Sequence, residues 1–228
     1  MKINFLLTRP QLGENIGAAA RIMLNFGFCN LKIVAPRDLW PNPKAYEMAA
    51  GATKLLDSAL VVDHIKDALG GSDVVFAATA RSRYMNKPLI SVREVANIIK
   101  DYQNPTLMFG PERTGLENEE LSYADYLVYI PVNELYTSIN LAQAIGIFAY
   151  ELSHVKPLEQ VKQEVAPKSE LIDFLDFLEH KLDEANFFKI AEKKPKMIIN
   201  IRNLFNRVHN LTSQDIRTLY GIIKSFTK

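Results

Sequence analysis

Along the first 150 residues the apolar positions fall into short β-rich runs: "INFLLT" (3–8), "LKIVA" (31–35), "VVFAAT" (74–79), "TLMFG" (106–110) and "YLVYI" (126–130). Between these runs apolar residues recur every three or four positions, which predicts helices over 15–26, 44–56, 65–70, 91–100, 116–122 and 138–154. Strands that alternate with helices imply an α/β fold, a mostly parallel sheet with helices on both faces. Gly27 stands just past the last apolar residue of the first helix, at the place of a helix C′ residue.

The pattern changes after Leu152. "SHVKPLEQVKQEVAPKSE" carries two prolines and many charges, and no strand pattern follows it. Leu171, Phe174, Leu175, Leu178 and Leu182 then repeat at helical spacing, and a second helical stretch follows from Lys194. The chain therefore divides into an α/β domain over 1–155, a linker over 156–167 and a helical extension over 168–228.

Composition narrows the partners only a little. With 228 residues, 48% hydrophobic and 23% charged, the chain can bury a sizeable core. A formal net charge of +1 gives no bulk basic field, so a nucleic-acid surface would have to come from local clustering. Cys29 is the only cysteine, which excludes an intramolecular disulfide and any cysteine-based zinc cluster. The histidines lack ligand spacing, so no catalytic metal is expected. The apolar run before Thr8 is too short for a signal sequence, and no segment reaches membrane-spanning length. A soluble, cytoplasmic protein is expected, with neither a membrane nor DNA as partner.

The common phosphate loops are missing. No G-x-G-x-x-G follows a strand, "GPERTG" (110–115) lacks the Gly-Lys-Ser/Thr ending of a P-loop, and no G-x-S-x-G elbow occurs. What remains are loops just beyond the C-terminal ends of strands, where α/β enzymes keep their chemistry. "ENIGAAARIMLNFG" (14–27), "FGPERTGL" (109–116) and "IPVNELYTSINLAQAIGIFAYEL" (130–152) occupy three of them, and "ATARSR" (78–83) a fourth.

In this order and spacing, the three longer segments resemble the motifs of the SpoU class (SPOUT) of RNA ribose 2′-O-methyltransferases. "ATARSR" and the tail "PKMIINIRNLFNRVHNLTSQDIRTLYGII" are similar to the TrmJ-like tRNA branch of that class, so the likeness covers nearly the whole chain. The resemblance implies a C-terminal deep trefoil knot that holds S-adenosylmethionine, in a homodimer with each active site at the subunit interface. It further implies a catalytic set of Arg21, Asn15, Glu112, Ser138 and Asn140, and cofactor contacts from Ala78, Thr79, Ala80, Gly110, Ile130, Thr137, Ser138 and Ile139.

Each of these residues also has a simpler structural role open to it. Asn15 suits a helix N-cap, as do Thr137 and Ser138; Glu112 could pair with its neighbour Arg113. Arg21 could be a solvated arginine, but Gly17, Ala18, Ala19 and Ala20 beside it let a backbone or a ribose-phosphate approach. The resemblance makes Arg21 the catalytic arginine, on a helix whose small face packs near the partner subunit. A guanidinium stays charged at any working pH, so its expected role is a cation that pairs with phosphate and stabilises charge developing on the 2′ oxygen. Arg9, Arg21, Arg81, Arg83, Lys194, Lys196 and Arg202 are the candidate RNA contacts. The expected function is methyl transfer from S-adenosylmethionine to a tRNA ribose 2′-OH, at the anticodon-loop pyrimidine of position 32. Ribosomal RNA as substrate and a catalytically silent RNA-binding module are the alternatives.

Overall fold

The computed structural model describes residues 1–80, 85–155, 165–208 and 211–226. Seven strands, β1 (Asn4–Thr8), β2 (Leu31–Val34), β3 (Leu60–Val62), β4 (Val74–Ala78), β5 (Leu89–Ser91), β6 (Pro105–Phe109) and β7 (Tyr126–Tyr129), form one sheet in the order β3-β2-β1-β6-β4-β7-β5. Every pairing is parallel, with Leu6 opposite Lys32 on one side and Met108 on the other. The helices are α1 (Gly13–Asn25), α2 (Pro43–Ala49), α3 (Thr53–Asp57), α4 (Ile65–Leu69), α5 (Val92–Ile98), α6 (Asn118–Ser122), α7 (Leu141–Ser153), α8 (Lys168–Glu184), α9 (Lys194–Asn206) and α10 (Ser213–Phe226).

Alternation along the strands divides the core between the two faces. Phe5, Leu7, Phe76, Leu107 and Phe109 point to one side, where α1, α2, α3, α5 and α7 pack. Leu6, Val75, Ala77 and Met108 point to the other, against α4, α6 and Ile172 of α8. A third cluster, built from Leu171, Phe174, Leu175, Leu178 and Ile216, holds α8 and α10 together. Among the described residues no helix is long and apolar enough to cross a membrane, and no three His, Cys, Asp or Glu side chains gather as a metal site.

The sequence reading anticipated five of these strands and omitted β3 and β5. Both are three-residue edge strands with partly exposed side chains, so neither shows the continuous apolar run of a buried strand. The helix expected over 44–56 is two helices, because Ala50 and Gly51 take left-handed φ values of 44° and 96° and break it. Gly27 does end α1: its φ is 80°, and Phe28 N–H reaches the Met23 carbonyl at 2.9 Å while Gly27 N–H reaches Leu24 at 3.1 Å.

The run of small residues in α1 also finds its use inside the chain. A Cβ on Gly17 would lie 2.1 Å from the Ala45 carbonyl oxygen of α2, and Ala19 and Ala20 are fully buried. The small face expected beside a partner subunit thus packs on α2 of the same chain, where helix backbones can approach closely only without side chains between them.

Candidate active site

Glu112 organises the C-terminal end of the sheet. Its carboxylate accepts three N–H groups: Gln11 N at 2.9 Å, Leu12 N at 3.3 Å and Asn15 Nδ2 at 2.7 Å. Since Asn15 spends its amide nitrogen on this carboxylate, its Oδ1 is left to accept, and Asn140 Nδ2 donates to it at 3.0 Å. Asn140 Oδ1 in turn accepts from Ala142 N at 2.9 Å and Gln143 N at 3.4 Å at the start of α7. A carboxylate is an acceptor only, so it sets the direction of every bond in this chain. Three loops and two helix starts are thereby locked in one arrangement.

Three expectations are corrected here. Asn15 does not cap α1; Leu12 holds the N-cap place and Asn15 is a buried residue within the helix. The cap of α7 is Asn140, not Thr137 or Ser138, which precede the helix in the exposed loop. The bond between Glu112 and Arg113 is likewise replaced by the three N–H donors.

Arg9 fastens the same loops from the other side. Its guanidinium donates to Glu120 at 2.9 and 3.0 Å and to Glu117 at 2.8 Å, and its backbone takes a left-handed φ of 49°. Burial acts to lower its pKa, but hydrogen bonds and charge from Glu120 and Glu117 outweigh that and hold it above the usual arginine value. The candidate RNA contact Arg9 therefore spends three of its five N–H donors on two carboxylates of the chain.

Between these fastened loops lies an open cleft of about 200 Å³. Ala78, Thr79, Ala80, Gly110, Ile130, Thr137, Ser138 and Ile139 all line it, together with Glu112, Arg113, Thr114 and Gly115. The loop that forms one wall turns back tightly on itself: a Cβ on Gly110 would lie 2.3 Å from Leu116 N, and Gly115 has a φ of 65°. A side chain at Gly110 would fill the turn, and one at Gly115 would be strained by its left-handed backbone, which accounts for the glycines.

Comparison with known proteins gives this geometry a family. The model of the SpoU rRNA Methylase family matches residues 2–150. The chain belongs to the SpoU methylase family. Across 98% of its length this SpoU chain is 36% identical to the tRNA (cytidine/uridine-2'-O-)-methyltransferase TrmJ of Sodalis glossinidius, covering 90% of that protein. It superposes on the crystal structure of TrmJ from Z. mobilis ZM4 with a TM-score of 0.93 and 38% identity, covering 99% of both chains. A more distant structure, concerned with the 2-OH methylation of C/U34 on tRNA, shares 28% identity at a TM-score of 0.54, covering 66% of this chain and 93% of that one.

Not every candidate residue of the SpoU chain reaches the cleft. Arg21 is exposed on α1 and does not line the cleft of its own chain. Six residues beyond Asn15, it is rotated about 240° around the helix and lies about 9 Å further along it. Arg81 and Arg83 lie outside the described residues. In the tail, Arg202 is corrected: its side chain is 10% exposed, lies 4.9 Å over the Tyr123 ring and approaches Glu179 at 3.7 Å and Glu119 at 3.9 Å. Lys194 is half-buried, paired with Asp183 and 5.3 Å from the Phe188 ring. Lys196 is exposed and has no partner among the described residues.

The sequence reading missed the residues that fasten the tail. Lys168 Nζ donates to Asp125 at 2.8 Å and to Asn206, and Asp125 also accepts Val75 N at 2.8 Å. Asn206 Nδ2 reaches the Ser122 carbonyl at 2.7 Å. Lys87 donates to the carbonyls of Ser122 and Ala124, and burial pushes its pKa down to about 7 against the opposing pull of Asp125. A lysine directly after a proline at a helix start, two residues before Glu170, carries no signal of a partner 43 residues away.

Proposed function

We propose that this chain transfers a methyl group from S-adenosylmethionine to a ribose 2′-OH of tRNA, at the pyrimidine of position 32 in the anticodon loop, in the cytoplasm. The observation that carries the reading is the single cleft into which the β4, β6 and β7 loops converge, locked by the Glu112–Asn15–Asn140 chain. Its lining fits a nucleoside sulfonium. Ala78, Ala80, Ile130, Ile139 and Leu141 offer apolar surface, while the chain's glycines and helix start offer main-chain groups at close approach. The name of the TrmJ relative supports tRNA over ribosomal RNA.

When bound, S-adenosylmethionine supplies a methyl group on a positively charged sulfur. Ala78, Thr79, Ala80, Gly110, Ile130, Thr137, Ser138 and Ile139 hold that group in the cleft. Glu112, Asn15 and Asn140 act as positioning residues, keeping the walls at the fixed separation that would orient donor and ribose towards each other. Arg21 is the catalytic residue, pairing with the phosphate beside the target ribose and stabilising charge on its oxygen. Because Arg21 stands away from the cleft of its own chain, it serves the cleft of a second copy, and the working unit is a homodimer. The same reading includes the trefoil knot through the cleft loops, with 1–155 as the transferase unit and 168–228 as its extension.

The deciding experiment incubates the protein with isotopically labelled S-adenosylmethionine and total RNA and maps the labelled ribose. Label at position 32 of tRNA is expected. Label at position 34, the site handled by the more distant neighbour, or in ribosomal RNA overturns the substrate assignment, and no transfer with no donor binding leaves a silent RNA-binding module. Arg21→Ala is expected to lower turnover about 10²–10³-fold while leaving donor affinity unchanged. Mixing inactive Arg21→Ala with inactive Glu112→Gln should restore about a quarter of wild-type activity, since only heterodimers pair an intact cleft with an intact arginine. Failure to restore any would show that Arg21 does not act across subunits.

A further inference from the structure

The loop between β6 and α6 carries charges of both signs, and the structure sorts them. Glu112 turns its carboxylate to Gln11 N, Leu12 N and Asn15 Nδ2. Glu117 and Glu120 are held by Arg9, and Glu120 also accepts Glu117 N at 2.6 Å in the capping box of α6. Every one of these acids is thus engaged with the scaffold. Arg113, between them in sequence, is exposed, lines the cleft and has no ion pair or hydrogen bond among the described residues. It is also the one basic side chain among the described residues that line the cleft.

We propose that Arg113 is an RNA-binding residue, a guanidinium at the lip of the cleft that grips a backbone phosphate flanking the target nucleotide. The inference rests on the proposed function and adds a contact to it. Three observations favour it. Glu112, Glu117 and Glu120 are engaged by main-chain or amide N–H donors or by Arg9 rather than by Arg113, so its five donors are open to an incoming anion. A planar guanidinium matches phosphate in bidentate fashion. Its exposure places it where a large polyanion arrives, whereas a group that holds the carboxylate of the small donor would be enclosed with it. Arg113 then does at the cleft what the sequence assigned to Arg9, which the fold has used as a clamp.

The test compares full-length wild type, Arg113→Gln and Arg113→Lys, measuring tRNA affinity across a salt series, donor affinity by calorimetry, and KM and kcat for tRNA. For Arg113→Gln the affinity for tRNA should fall about tenfold, and the slope of log affinity against log salt should become shallower by about 0.7–0.9, one phosphate contact. KM for tRNA should rise by about the same factor while kcat falls less, with donor affinity and melting temperature unaltered. Arg113→Lys should restore the salt slope and only part of the affinity, because an ammonium keeps the charge without the fork. Weakened donor binding with intact tRNA affinity would instead assign Arg113 to the donor's carboxylate and overturn the proposal. So would a Gln variant indistinguishable from wild type in the salt series. A wild-type protein that transfers nothing to tRNA overturns the proposed function, and Arg113's role with it; wild-type transfer beside a silent Arg113→Gln overturns the Arg113 role alone.

Discussion

The cleft end of the sheet and the seat of the helical tail are built from the same residue types, amides, carboxylates and cations, and use them in opposite ways. At the cleft, Glu112, Asn15 and Asn140 form a directed chain in which only Asn15 is buried, and beside it Arg113 keeps open donors. Under the tail, Lys168, Asp125, Asn206 and Lys87 are buried, and each spends its polar groups on the others or on the main chain. Burial makes the difference. A charge removed from water has to be satisfied by the fold, whereas an exposed one stays free to meet a ligand. Charge alone therefore did not mark recognition, and Arg202, buried over Tyr123, is the residue that teaches this.

The contrast can be broken most severely at the tail. Lys168→Met leaves Asp125 buried with only its main-chain partner and should cost about 3–5 kcal/mol, read as a lower urea midpoint; an unchanged midpoint would mean that the tail is not fastened there. At the cleft, Glu112→Gln replaces one accepting oxygen by an amide nitrogen, which faces either Gln11 N or the Leu12 N and Asn15 Nδ2 donors. It should cost about 1.5–3 kcal/mol and, unlike the tail variant, should weaken donor binding at least as markedly as it lowers stability. Equal loss of stability without any loss of donor affinity would deny the chain its positioning role.

Lys87 sharpens the comparison through pH. Burial lowers its pKa from 10.5 to about 7, so above pH 7 the folded protein has released a proton that the unfolded chain still holds. More protons on the unfolded state means that stability rises with pH. The rise should run from about pH 7 to 9, before tyrosines begin to ionise, with Lys32, lowered by burial to about 8, contributing in the same direction. Urea titrations across this range should show a shallower rise for Lys87→Met than for wild type. The smallest effect separates two tail cations. Lys196→Ala should reduce the salt slope of tRNA binding by about 0.7–0.9, and Arg202→Ala should leave that slope alone while lowering the melting temperature. The reverse outcome would return Arg202 to the RNA surface.

Much of the frame was legible in the sequence because it depends on local periodicity. Five strands, the alternation with helices and the stop at Gly27 follow from side-chain spacing and from one residue that tolerates positive φ. The motif residues were legible as a set through their family resemblance, and the fold brings the eight expected cofactor contacts to one cleft. Their bonding was not legible. Asn15 and Asn140 lie 125 residues apart, and Asn15 and Glu112 lie 97 apart, so nothing in the local pattern could say that these side chains meet.

The sequence by itself determined which segments become strands and helices, where the first helix ends and which loops carry polar chemistry, since these are properties of neighbours along the chain. Only the tertiary structure decided what each polar side chain does. It made Asn140 rather than Ser138 the cap of α7, turned Arg9 and Arg202 into fasteners, sealed the small face of α1 against α2 and left Arg113 open at the cleft. The physical reason is that the fate of a charged or amide group is set by its desolvation and by the donors and acceptors within about 3 Å of it, and in a parallel sheet those partners arrive from distant parts of the chain.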